Sequence, residues 1–292
     1  MGEFFALITA VVWAIAVILF KKSGENVHPI ALNLFKNMLA ILLFAPTVYL
    51  FGESLFRPAP ATHYLLLLLS GMMGISLADT FYFIALNSIG AGVMAIVSCM
   101  YGPFIIALSM TFLGERLLFL QIVGVGLIVS AVIFTTYQKE GSSHSTKDLL
   151  KGISFGTLGT FINAVGVVMI KPILNISPLA WVSFYRILGG LIGLLIILTF
   201  MKERTKIIHT LKIRQSWAFT VFGSFMGAYL SMFLWLAGMK FTLTSIAAAL
   251  NQTSTIFIYL LAILFLKEQF SARKALGVVL AMVGVLLVTY LR

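Results

Sequence analysis

Cysteine occurs once, at Cys99 inside an apolar stretch, so no disulfide can form within the chain and no cysteine cluster can hold a metal. Histidine is nearly as rare: His28, His63, His144 and His209 all fall between apolar runs, with no His-x-x-x-His spacing. Paired carboxylates, a nucleophile elbow and a glycine-rich nucleotide loop are missing too. Their absence argues against a membrane-embedded enzyme, a resident metal or cofactor, and direct drive by ATP. Only 10% of residues are charged, against about 25% in an ordinary soluble domain. Negative charge is the scarcer sign, and the net charge is +11. Eighteen of the twenty Lys and Arg lie in or beside short connections and form no stripe interleaved with aromatics. Membrane topology accounts for them, and nucleic acid is not an expected partner.

What the chain has in abundance is apolar surface, 61% of its residues. At about 20 residues per crossing of roughly 30 Å of hydrocarbon, spans fall at 4–20, 30–51, 64–86, 91–113, 118–137, 151–170, 178–201, 217–239, 244–266 and 272–291. The first differs from a secretion signal: Glu3 replaces the positive leader, and no small-residue cleavage site follows Phe20. No connection is long enough for a soluble domain, so the lipid bilayer is the partner and the chemistry lies within it or at its faces.

The spans repeat. Phe-Leu-Gly-Glu at 112–115 returns as Phe-Leu-Lys-Glu at 265–268, an offset of 153 that also matches Tyr82 with Trp235, Ala95 with Ala248 and Gly124 with Gly277. Earlier in each half the offset is 150: Lys21 meets Lys171, Phe35 meets Tyr185 and Lys36 meets Arg186. Two copies of one unit are implied, 1–137 and 151–292, joined by a linker at 138–150. An odd number of spans per copy inverts the second copy relative to the first. The expected fold is an all-α integral membrane protein of ten transmembrane helices, two inverted five-helix repeats around a central cavity. Connections after odd-numbered spans hold thirteen basic residues and the others five, which places both termini outside the cytoplasm by the positive-inside rule.

Five-span copies, each with a Leu-Gly/Lys-Glu turn before its last helix, a Gly nine residues past that Glu and a basic residue early in its second span, resemble the EamA-type branch of the drug/metabolite transporter superfamily. The resemblance covers essentially the whole chain. It implies a secondary transporter working by alternating access, exporting small metabolites such as amino acids or related compounds. It also implies termini in the cytoplasm, against the charge count. A nucleotide-sugar or sugar-phosphate carrier, a lipid flippase and a passive channel remain alternatives. A monomer or homodimer in the bacterial inner membrane is expected.

Candidate site residues follow from the cost of polar groups in hydrocarbon. Asp79, in the third span, is the one acid away from loops and the chain start; with Ser76 and Tyr82 it falls on one helical face. It is the expected coupling acid or the counter-charge for an amine, unless it merely bonds a neighbouring helix. Lys36 and Arg186 lie about two turns into their spans. They either snorkel to headgroups, attract an anionic group, or pair with Asp79; Tyr185 and Ser183 accompany Arg186. Asn251-Gln252-Thr253-Ser254-Thr255 interrupts the ninth span, opposite Ser98-Cys99-Met100-Tyr101-Gly102 in the fourth, where Gly102-Pro103 predicts a kink. Thr244, Ala248, Asn251 and Thr255 make one face of that ninth span. Trp13 with its counterpart Asn163, and Tyr82 with Trp235, offer an aromatic and amide lining for the small-molecule substrate. Glycines in spans six, eight and ten allow close packing, and Glu115 and Glu268 are placed to cap the helices that follow them.

Overall fold

Helix α1 (Gly2–Ser23) carries charge only at its ends, Glu3 in the first turn and Lys21 and Lys22 in the last. Each sign complements the helix dipole there. Helix α2 (Pro29–Leu50) opens with Pro29 in its first turn, where the missing N–H costs nothing, and His28 caps it by accepting from the Ile30 N–H at 3.3 Å. The rest of this computed structural model is built from the same material. Helix α3 (Ala61–Gly71) passes through a π-helical turn, Met72–Leu77, into α4 (Ala78–Ser98). There follow α5 (Tyr101–Leu113), α6 (Phe119–Thr136), α7 (Thr146–Ile176), α8 (Leu179–Phe200), a short α9 (Arg204–His209) and α10 (Trp217–Ser224). A second π turn, Phe225–Ser231, leads to α11 (Met232–Phe241), and α12 (Ser254–Leu266) and α13 (Ala272–Thr289) end the series.

The structure describes residues 1–113, 119–136, 146–242, 247 and 250–289, and among them there is no strand. The Gly114-Glu115-Arg116 turn, most of the 138–150 linker including His144, and Thr244 and Ala248 lie outside these described residues. Among the described residues six helical segments are long and apolar enough to cross a membrane, Ala61–Ser98 being one of them. Within that segment Gly90 is non-helical (φ 79°, ψ 170°), at the boundary expected between the third and fourth spans. Large apolar side chains face outward, Leu42 at 69% and Leu264 at 71% exposure, while Asn33, Lys36 and Arg186 are buried. Water would not tolerate that surface, and lipid would. Two histidines expected between spans lie in helices, His63 in the first turn of α3 and His209 at the end of α9.

Helix bounds repeat with the sequence. Pro29–Leu50 and Leu179–Phe200 start and stop 150 positions apart. The π turns begin at Met72 and Phe225, 153 apart, and α5 and α12 both start and stop at the same offset. Contacts repeat by exchange. Helix α1 packs on α10 and α11, while its counterpart α7 packs on α3 and α4; α2 packs on its own counterpart α8, and α6 on α13. Such reciprocity is the contact pattern of a two-fold axis, here running through one chain. Near that axis the two interrupted helices meet: Gln252 Nε2 donates to Ser98 O at 3.2 Å, and Thr255 Oγ1 to Ala95 O at 3.4 Å. Small residues permit this closeness. A Cβ on Gly159 would sit 2.8 Å from Ala78 O, and one on Gly284 2.7 Å from Gly124 O.

Three expectations change. Pro103 does not itself kink α5, because the break lies earlier, at Cys99-Met100, leaving Pro103 in the first turn, where no N–H is needed. Ser76 does not share the face of Asp79 and Tyr82. The π turn resets the helical phase, and its hydroxyl sits 2.6 Å from where a Cβ on Gly193 would lie. Glu268 does not cap the helix that follows it. Its carboxylate accepts from the N–H groups of Ala91 at 2.7 Å and Gly92 at 3.4 Å, freed by the break at Gly90, with Lys274 at 3.6 Å. A turn of one half thus closes a helix end of the other.

Two stability outcomes follow. Lys267 ends α12 in the left-handed region (φ 54°), where the matched residue in the first half is Gly114. Lys267→Gly should therefore raise stability by about 1 kcal/mol in thermal unfolding. Burial lowers the pKa of His28 below its ordinary 6.5, and a protonated ring loses the lone pair that accepts from Ile30. The folded state then binds the proton less readily than the unfolded one. This cap's contribution is complete above pH 6.5 and is lost as pH falls below it. Relative to His28→Asn, the parent should lose up to about 1 kcal/mol of stability between about pH 7.5 and 5.5.

Candidate functional site

Asn33, Lys36 and Asn37 interrupt the apolar course of α2, and all three are buried. Asn33 Nδ2 donates to Ile75 O at 2.9 Å and Thr80 Oγ1 at 2.9 Å, using carbonyl groups at the π turn to tie α2 to the start of α4. Asn37 Nδ2 donates back to Asn33 Oδ1 at 3.0 Å. Between them Lys36 Nζ reaches Asp79 Oδ2 at 2.7 Å and Asn37 Oδ1 at 3.4 Å. The lysine side chain is 6% exposed and the aspartate side chain 24%. Of the readings open to Lys36 from sequence, pairing with Asp79 is seen in the structure. At this depth each ion costs several kcal/mol to desolvate, and mutual attraction with added hydrogen bonds offsets that.

Both residues line a cavity of about 170 Å³, far above the roughly 10–15 Å³ that a single water needs. Trp13, Tyr82, Asn163, Arg186, Trp235 and Asn251 line it too. These eight residues, expected from sequence to bind substrate or to couple its movement, are therefore brought to one place. They arrive as matched pairs: Trp13 with Asn163, Lys36 with Arg186, Asp79 with Met232, Tyr82 with Trp235, and Ser98 with Asn251, every member on the cavity wall. Gly74 and Gly227, one in each π turn, are also matched and also line it. The cavity lies where the two halves meet.

Its walls are aromatic in two places, Trp13 against Tyr82 with ring centroids 5.8 Å apart and Tyr101 against Trp235 at 6.3 Å. Its polar groups are short of partners. Seven buried side-chain atoms among the described residues lack a hydrogen bond, and five of them belong to cavity residues: Tyr82 OH, Tyr101 OH, Asn251 Oδ1, and Arg186 Nε and Nη1. Such groups cost about 1–3 kcal/mol each when left unpaired, and clustering at one cavity fits them for a polar ligand.

Sequence reasoning missed Asn33, Asn37, Thr160 and Ser231. The signal for the asparagines was present, since three polar residues within five positions of an apolar helix mark an inward face. Tyr185, expected beside Arg186, turns away: its hydroxyl donates to Leu55 O at 3.1 Å within a ring cluster with Tyr64 and Trp181.

Comparison with known proteins agrees with this architecture. The model of the EamA-like transporter family matches residues 1–137 and again 150–290. An uncharacterized transporter of Archaeoglobus fulgidus is 22% identical over 284 residues, covering 97% of this chain and 95% of its own. A protein of known crystal structure superposes with a TM-score of 0.67 at 16% identity, over 99% of this chain and 96% of its own, which shows a shared fold.

The ion pair predicts a specific non-additivity. Lys36→Met or Asp79→Leu alone should cost about 3–5 kcal/mol, because each leaves one buried charge uncompensated. The double variant should lose much less than the sum. Thermal unfolding of the purified single and double variants checks it.

Proposed function

Because the chain belongs to the EamA-like transporter family and is an integral, multi-pass membrane protein, we propose that it is a secondary transporter that exports a small metabolite, an amino acid or related compound, by alternating access. In this reading the ten spans form two inverted five-helix copies, 1–137 and 151–292, and rocking of one against the other exposes the cavity to each face in turn. The inner membrane of a bacterium, or its archaeal counterpart, is its place.

One observation carries the reading: matched residues from both halves converge on a single cavity, as a carrier with one central site requires. Trp13, Tyr82 and Trp235 supply walls for an apolar body, and Asn163, Arg186 and Asn251 hold its polar end. Asp79 is the coupling acid in this reading, as the one carboxylate among the described residues of the cavity wall and the partner of Lys36 at 2.7 Å. A nucleotide-sugar or sugar-phosphate carrier is the alternative favoured where Lys36 and Arg186 both face the cavity. Both line it, but Lys36 is held 2.7 Å from Asp79, which favours a substrate with less negative charge than a phosphate.

The test is counterflow and gradient-driven flux in proteoliposomes, with a panel of amino acids, carboxylates, amines and sugar phosphates, with and without a proton gradient. Saturable, gradient-responsive flux of one class is expected, and Asp79→Asn should abolish its response to pH. Flux no greater than in protein-free liposomes, or lipid scrambling alone, would overturn the reading.

A further inference from the structure

The two halves place their cations at matched positions but not their acids. Lys36 in the first half pairs with Asp79 at 2.7 Å. Arg186 is its counterpart in the second half, and the counterpart of Asp79 is Met232, which also lines the cavity. Arg186 is 1% exposed, its Nε and Nη1 lack any hydrogen bond, and no ion pair reaches it among the described residues. Its Nη2 approaches Gly74: a Cβ there would lie 3.1 Å away, and 3.3 Å from Asn163 Oδ1. The missing side chain of Gly74 leaves the guanidinium and the Asn163 amide side by side on the cavity wall.

Among the described residues the cavity wall carries Lys36, Asp79 and Arg186, a net charge of one positive, and Arg186, a planar fork of donors, is the member without an ion pair. A guanidinium stays charged at any physiological pH, so it cannot relieve its burial by losing a proton. From these facts we infer that the substrate bears one carboxylate, which binds Arg186 and takes the place that an aspartate would hold at position 232. A carboxylate matches the fork in charge and in bidentate geometry. A dianionic phosphate would bring a second negative charge with no cation left to meet it, and an amine would be repelled. Tyr82 OH and Tyr101 OH, both without hydrogen-bond partners and both lining this cavity, supply further donors to the ligand, and Trp13 and Trp235 flank its body. This inference deepens the transporter reading by naming the chemistry of its substrate.

Binding and transport are measured separately, so the two readings can fail separately. The probes are formate, phenylacetate, phenylacetamide, phenethylamine and phenyl phosphate, titrated against the purified chain at constant ionic strength. Tryptophan fluorescence and the melting temperature serve as readouts. Formate and phenylacetate should bind, and phenylacetate should bind at least tenfold more tightly than each of the three other aromatic probes. Arg186→Gln should erase that preference. It should also raise the melting temperature of the ligand-free protein, because it removes a buried charge without breaking a pair. Met232→Asp, which supplies the missing acid, should weaken phenylacetate at least tenfold.

Absence of carboxylate binding would overturn the inference. So would equal or tighter binding of the amide, amine or phosphate. An Arg186→Gln protein that keeps the preference or melts well below the parent, or a Met232→Asp protein that binds phenylacetate as before, would also overturn it. Carboxylate binding with the expected variant effects but no counterflow in proteoliposomes would leave the subsite standing and remove the transporter reading.

Discussion

A charge in a hydrocarbon layer must be matched, and the core of this protein is arranged around the match between Lys36 and Asp79. The ammonium of Lys36 and the carboxylate of Asp79 sit 2.7 Å apart, on helices that must be held in register for the pair to survive. The amides of Asn33 and Asn37 hold that register by joining α2 to the π turn and to Thr80. The π turn, in turn, aims Asp79 and Tyr82 at the cavity while sending Ser76 elsewhere. Position, phase and charge at this point are one problem, and the paired ions penalise any solution that separates them.

The second half repeats the backbone solution and drops the electrostatic one. Helix bounds, π turns and helix breaks recur at matched positions, so the scaffold has near two-fold character. The side chains at the axis do not. Asp79 has Met232 as its counterpart, Trp13 has Asn163, and Asn37 has Ile187. A duplicated scaffold with divergent lining suits a carrier, because the scaffold can serve two symmetric end states while the lining recognises an asymmetric ligand. The clasp between Glu268 and the freed N–H groups of Ala91 and Gly92 shows the same economy. A break that would leave two donors unsatisfied in one half is closed by a carboxylate from the other.

Much of this is legible in the order of the amino acids. Hydropathy locates the helices, because a lipid-facing residue must be apolar wherever the chain folds. Scarcity locates the site: Asp79, Lys36 and Arg186 stand out as ionisable groups away from the membrane faces, and all three reach the cavity. The internal repeat supplies the correspondence between Lys36 and Arg186. Asn33 and Asn37 are readable on the same principle, and their more conspicuous neighbour hides them.

What the sequence determined by itself was a set of constraints that each residue satisfies alone or with its near neighbours: which segments are helical and apolar, where polar groups interrupt them, and that one unit occurs twice. These depend on transfer energies and local backbone chemistry, which are carried by short stretches of chain. The tertiary structure decided who meets whom. That Asp79 takes Lys36 and leaves Arg186 without an ion pair among the described residues, that Tyr185 turns to Leu55, and that Glu268 accepts from the Ala91 N–H and not from the N–H groups of its own next helix are outcomes of helices crossing at particular angles and phases. A π turn shifts those phases by a single residue, and side chains more than a hundred positions apart compete for the same few ångströms. No local rule ranks such competitors, because the winning contact is set by the packing of all the helices together.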